Sequence, residues 1–326
     1  MAKIFEKGVG VLGLLVLTAC GGGEHSLAKP SFDAEAALAL AEALSADDMA
    51  GRGAGTSESA AARALLIERF EALGLVAPEG GYEHPFVYGP FRRPAEGMDA
   101  VPDKPGVNLI AKVKGRSASD LTMVVTAHYD HLGIQGGEIF NGADDNASGV
   151  AAALAVAEHF TVHPPEHDVL VILFDAEEDG FGGARAFIAD LDEERRARYA
   201  FNLNLDMVSR GDNNKLWASG ASHWPALKPL IEQTAAEAPV DLQMGYDSGD
   251  GRDDWTMLSD HMVFFRAGIP HLYLGVEDHP DYHRPSDDFA NVDQDWFVKS
   301  MTTIVSLAEA ADAALPEIAA MKEADE

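Results

Sequence analysis

LTMVVTAHYDHLGIQGGEIFNGADDNASGVAAALAVAEHF, residues 121–160, contains a short apolar β-forming run, an acid- and glycine-rich connection, and an alanine-rich helical segment. Residues 121–127 read as a strand and residues 148–160 as a helix. The same alternation recurs along the chain. Strands are predicted at residues 107–113, 169–174, 201–205 and 271–274, and helices at 32–44, 59–73, 184–191, 224–238 and 294–313. Strands separated by helices predict an α/β fold, a three-layer α/β/α sandwich around a mixed, mainly parallel sheet. Residues 82–105, rich in Gly and Pro, read as irregular surface structure.

The ends of these strands carry the chemistry. The first runs into His128-Tyr129-Asp130, the 169–174 strand into Asp175-Ala176-Glu177-Glu178, and the 201–205 strand into Asp206. In an open α/β sheet the carboxyl ends of parallel strands face one crevice, where ligands bind. A single Asp or Asn beside a helix start is explained by capping, and Asp145 or Asn146 could serve that purpose here. A set of carboxylates meeting in an apolar crevice repels itself unless a cation sits among them. Imidazole and carboxylate donors together suit zinc or a similar divalent ion, whereas calcium calls for oxygen donors alone. Two neighbouring ions need a bridging carboxylate, which one Asp of the pair 144 and 145 can provide.

Taken in order, TAHYDHLG (126–133), NGADDNASG (141–149), FDAEED (174–179), NLDMV (204–208) and DYHRPSD (281–287) resemble the zinc-dependent exopeptidases of the bacterial leucyl aminopeptidase and aminopeptidase Y type. MAGRGAGT (49–56) and GIP (268–270) add to the likeness, which spans roughly residues 31–313. The resemblance implies a co-catalytic pair of zinc ions, with other divalent metals as substitutes. His128, Asp144, Glu178, Asp206 and His283 are its implied ligands, with Asp144 as the bridge. It further implies Glu177 as general base, Asp130 as the residue holding His128, Tyr282 as a phenol near the developing oxyanion, and a cis peptide between Asp144 and Asp145.

The activity implied is removal of the N-terminal residue from peptides with a free amino terminus. A glutaminyl cyclase or carboxypeptidase-like enzyme on the same scaffold is the alternative, and a non-catalytic binding lipoprotein is the third reading. The intact Glu177-Glu178 pair argues against the last. His131 is expected at the surface or behind the ligands, His261 and His279 as structural histidines near the site, and Phe264, Phe265 and Tyr273 in the core. Arg252, among acids, reads as a local charge balance.

Composition excludes other roles. With 24 basic and 54 acidic side chains the formal net charge is −30, so nucleic acid and anionic lipid surfaces are repelled. Lys3 and Lys7 precede an apolar run at residues 9–17, long enough for a signal-peptide core and too short to span a bilayer. The run ends in Leu17-Thr18-Ala19-Cys20, similar to a bacterial lipobox, and Cys20 is the only cysteine. Residues 1–19 therefore read as a signal peptide, 20–30 as a lipidated tether and 31–326 as a single di-zinc peptidase domain. The expected product is an exported lipoprotein, anchored to a membrane through Cys20, with its domain in the periplasm or at the cell surface. Acylation of Cys20 leaves no thiol for disulfides or nucleophilic catalysis. Oligomeric state leaves no trace in the sequence.

Overall fold

The computed structural model describes residues 31–91, 102–211, 213–248 and 254–322. The expected signal peptide, the tether with Cys20, and Arg252 lie outside the described residues. Among the described residues ten strands run in chain order: β1 (Glu83–Tyr88), β2 (Lys104–Val113), β3 (Thr122–His128), β4 (Gly133–Gln135), β5 (Glu138–Phe140), β6 (Asp168–Phe174), β7 (Tyr199–Leu205), β8 (Lys215–Ser219), β9 (Asp241–Met244) and β10 (His271–Gly275). The helices are α1 (Ala34–Leu44), α2 (Ser57–Ala72), α3 (Gly149–Val162), α4 (Gly182–Ala189), α5 (Glu193–Arg198), α6 (Lys228–Glu237), α7 (His261–Arg266), α8 (Gln294–Ala313) and α9 (Leu315–Ala319).

Eight strands form one sheet in the order β1-β2-β6-β3-β7-β10-β8-β9. Its centre, β6-β3-β7-β10, is parallel throughout, while β2 against β6 and β8 against β10 are antiparallel. The strands read as unbroken apolar runs because both faces are covered. Met123, Val125, Ala127, Val169, Val171 and Leu173 face the core beneath α1, α2, α3 and α8. Val124, Ile172 and Phe174, alternating with them, pack with Phe187 of α4 and Phe264 of α7. This is the expected three-layer α/β sandwich.

Helix ends follow local side-chain chemistry. Asp33, Thr56 and Asp293 each accept a main-chain N–H at the start of α1, α2 and α8, and Gly74 follows α2 with φ +68°. The reading of residues 82–105 as irregular is overturned in part. Residues 83–88 pair with 104–109 as the antiparallel edge strand β1. Pro85 masked this strand, yet an edge position leaves one side of a strand without pairing, and there proline is tolerated. The strands β8 and β9 and the β4–β5 hairpin were likewise not signalled by periodicity.

Candidate metal and catalytic site

Because β3, β6, β7 and β10 run parallel, their carboxyl ends open on the same edge of the sheet. His128 is the last residue of β3, and Asp206 immediately follows β7. Glu177 and Glu178 follow β6 after a turn through Ala176, whose φ is +60°. His283, with φ +52°, lies on the segment leaving β10. A residue held at positive φ is uncommon away from glycine and is often found where the backbone aims a side chain.

Asp145 stands at the meeting point. One of its oxygens, Oδ1, lies 3.3 Å from His128 Nε2, which is itself 3.2 Å from Asp206 Oδ1. Its Oδ2 lies 3.1 Å from His283 Nε2 and 3.8 Å from His131 Nδ1. Glu178 joins this second group, with Oε2 3.4 Å from His283 Nε2 and Oε1 2.7 Å from His131 Nδ1. Two sets of donors compatible with a metal ion result, His128 with Asp145 and Asp206, and His131 with Asp145 and Glu178. Asp145 belongs to both.

The assignment of the bridge to Asp144 is therefore corrected. The Asp144 Oδ1 accepts from the Ser209 N–H at 2.8 Å and the Ser209 hydroxyl at 2.7 Å, and Oδ2 meets His279 Nε2 at 3.0 Å. Neighbouring side chains on this turn diverge, so Asp144 is committed to the scaffold while Asp145 reaches the crevice. The cis peptide is also displaced by one residue, to Asp145–Asn146. Asn146 supplies the helix cap, its Oδ1 accepting from the Gly149 N–H at 2.8 Å, while its amide donates to Leu205 O.

The structure brings the remaining expected residues together. Glu177, Glu178, Asp206, His128, Tyr282 and His283 all line a cavity of about 340 Å³ with Asp145. Asp130 lies behind His128, which it meets through its main-chain carbonyl, and its side chain holds the Glu177 amide. His128 Nδ1 is 3.1 Å from the Asp130 carbonyl oxygen and 3.8 Å from its Oδ1, while that Oδ1 accepts the Glu177 N–H at 3.1 Å. A carbonyl can only accept, so Nδ1 donates to it and Nε2 is turned toward Asp145 and Asp206. Tyr282 stacks on His283 with ring centres 4.0 Å apart.

Charge in the cluster is balanced internally. Burial alone would push the Asp145 carboxyl up, but His131, His128 and His283 hold it well below the usual carboxylate range. Burial opposes the charged form of His128, yet Asp206, Glu177 and Asp145 hold it well above the ordinary histidine value. Burial pushes the Glu177 carboxyl well above its usual range, against His128 and with help from Asp260 and Glu178. The imidazoles stand where cations are needed, and Asp130 Oδ2 and His131 Nε2 are buried without hydrogen-bond partners. Mixed oxygen and imidazole donors converging on one carboxylate fit divalent zinc.

Other residues named from the sequence take definite places. Of the two places expected for His131, at the surface or behind the ligands, the structure gives the second: its side chain is fully buried against Glu178. Its position three residues after His128, within the same strand-end turn, was the available signal. Tyr273 is a wall of the cavity as well as a core ring, and its hydroxyl donates to Asp206 O at 3.0 Å. His261 and His279 are structural, bonded to Trp255 O and Asp144 respectively. Phe91, Phe181, Met207, Trp255, Leu258 and Val276 complete the apolar lining, and among the described residues no Arg or Lys lines the cavity.

Comparison with known proteins bears on the family and the fold. The family model described as Peptidase family M28 matches residues 108–308. The aminopeptidase YwaD of Bacillus subtilis is 27% identical over 219 residues, 61% of this chain and 43% of that protein, so the chain spans less than half of that relative's length. Among solved structures, a zinc aminopeptidase from Bacillus subtilis superposes with a TM-score of 0.69 at 17% identity, covering 86% of this chain and 96% of the other. A glutaminyl cyclase of Fimbriiglobus ruber superposes with a TM-score of 0.68 at 21% identity, covering 86% and 95%. At such identities the structural likeness concerns the fold.

Proposed function

We propose, from the premise that this chain belongs to peptidase family M28, that it is a zinc-dependent aminopeptidase removing the N-terminal residue of peptides. The observation carrying this reading is Asp145, whose two oxygens face separate donor groups beside Glu177 in one cavity. His128 with Asp206 would hold one ion, Glu178 with His283 the other, and Asp145 both. His131 would orient Glu178 or add a donor to the second ion. Bound zinc would supply Lewis acidity toward water and the scissile carbonyl.

The chain's own residues supply the proton transfers and the orientation. Glu177 is buried and belongs to neither donor group, so it is free to accept a proton from the attacking water and return it to the departing amine. Its main-chain N–H, fixed by Asp130, limits where that carboxyl can swing. Tyr282 can donate its phenol toward the developing oxyanion. The apolar walls exclude water and accept a hydrophobic N-terminal side chain, while the acids attract a free ammonium group. The likeness to the aminopeptidase YwaD of Bacillus subtilis supports aminopeptidase over carboxypeptidase action.

Metal analysis of purified protein, paired with a panel of aminoacyl p-nitroanilides, tests the proposal. Two zinc equivalents per chain and chelator-sensitive release of the N-terminal residue are expected. The cyclase reading has its own support in the likeness to the Fimbriiglobus enzyme's fold. One zinc equivalent, no release, and ring closure with ammonia loss from an N-terminal glutamine peptide would replace the aminopeptidase reading with it.

The leader supports a further part of the proposal, export and membrane anchoring through lipid on Cys20. Radiolabelled palmitate is expected to mark the parent protein in a bacterial host and leave Cys20→Ser unlabelled. Equal labelling of both would remove Cys20 as the attachment point.

A further inference from the structure

The loop at residues 141–145 delivers Asp145, and it is gripped from two sides by buried groups of opposite charge. Arg52 is fully buried. Its guanidinium donates to four main-chain carbonyls: Leu44 O, Tyr129 O at 2.8 Å, Asn141 O at 2.7 Å and Gly142 O at 3.0 Å. No carboxylate forms an ion pair with it among the described residues. Burial lowers its pKa to about 10, which still leaves it charged at neutral pH. The planar fork thus ties the residue after His128 to the two residues opening the Asp145 loop.

The amide side of the same loop is held by Asp287. Its Oδ2 accepts from the Asp144 N–H at 3.1 Å and the Asp145 N–H at 3.0 Å, and its main-chain oxygen accepts from the Ala143 N–H at 3.0 Å. Asp287 lies four residues after His283, so it also links the segments bearing two of the proposed ligands. Consecutive peptide groups in the loop therefore point carbonyls at a cation and amides at an anion. Hydrogen bonds to charged partners are stronger than neutral ones, and a buried network with every member satisfied fixes one conformation.

The approach of Arg52 depends on its neighbour. Gly51 has φ +69°, and a Cβ there would lie 2.2 Å from Phe140 O. Only glycine lets the 50–52 turn press against the end of β5 and aim the guanidinium inward.

We propose that Arg52 and Asp287 are a pair of positioning residues that set the Asp145 loop for metal binding, acting on the carbonyl and amide faces of the same turn. The proposal rests on Asp145 being a metal ligand. Arg52 and Asp287 touch neither substrate nor the reacting atoms, so their effect should appear in metal affinity and ligand geometry. Lysine keeps the charge of Arg52 but offers a point charge in place of a planar fork with five donors. Asparagine at 287 keeps the shape but sets an amide donor against a main-chain N–H.

The experiment compares Arg52→Lys, Asp287→Asn and the double variant with the parent. Zinc dissociation is measured by competition with a chelating dye, cobalt(II) spectra report ligand geometry, and circular dichroism with thermal melting of metal-free protein reports folding. Each single variant is expected to fold, to bind zinc about 10–100-fold more weakly, as when groups supporting a ligand are lost, and to show a changed cobalt spectrum. The double variant should lose less than the product of the two effects, because both act on one loop. Parent-like zinc affinity and cobalt spectra in the folded single variants would overturn the proposal. So would an unfolded Arg52→Lys beside a parent-like Asp287→Asn, which would make Arg52 a folding residue alone. A parent that binds no zinc at all would instead strike the proposed function, so the two failures are distinguishable.

Discussion

Glu177→Gln is expected to keep the parent's zinc content and lose turnover by about 10²–10⁴-fold, the range attached to a general acid–base group. The substitution is nearly isosteric, and Glu177 belongs to neither donor group around Asp145. What disappears is the capacity to take up a proton and hand it on. Burial and the neighbouring acids already disfavour the charged carboxylate at this position. A neutral amide should therefore leave the metal-free protein as stable as the parent or more so, since active-site groups are commonly held at a cost to stability. Metal analysis, steady-state kinetics and a melting curve on the same preparation check all three statements. Retained turnover at full zinc content would remove Glu177 as the base.

The second large effect distinguishes the adjacent aspartates. Asp145→Asn should abolish stable binding of paired zinc and with it turnover, because an amide has one oxygen and no charge to share between two cations. The loss should exceed the 10–100-fold typical of residues that merely support a ligand. Asp144→Asn should behave differently. Its oxygens serve Ser209, Ser148 and His279, so an amide there places a donor against donors and costs about 1–3 kcal/mol of stability. Zinc stoichiometry should survive it. Zinc per chain after dialysis decides: a depleted Asp144→Asn beside a replete Asp145→Asn would restore the bridge to Asp144.

Much of this site was legible because chemistry and periodicity coincide at the strand ends. His128, Glu177, Glu178 and Asp206 each follow an apolar run, and parallel central strands bring such ends to one edge whatever the exact crossover path. The length of α8 was legible too, since twenty residues of helical pattern begin at a capping aspartate and contain neither glycine nor proline. β1 was not, because Pro85 carries a turn signal that an edge position cancels.

The sequence by itself determined the α/β class, the order of the ligand-bearing segments and the residue types available to a divalent metal, for these depend on local pattern and intrinsic donor chemistry. Only the tertiary structure decided which member of the Asp144–Asp145 pair enters the crevice. Two neighbouring carboxylates have the same composition and propensity, and their directions are set by a turn whose carbonyls are bound by Arg52 and whose amides are bound by Asp287, residues far away in the chain. The burial of His131 was likewise decided by its packing against Glu178. Side-chain direction at such a turn is a long-range property, fixed when distant charged groups satisfy its peptide bonds.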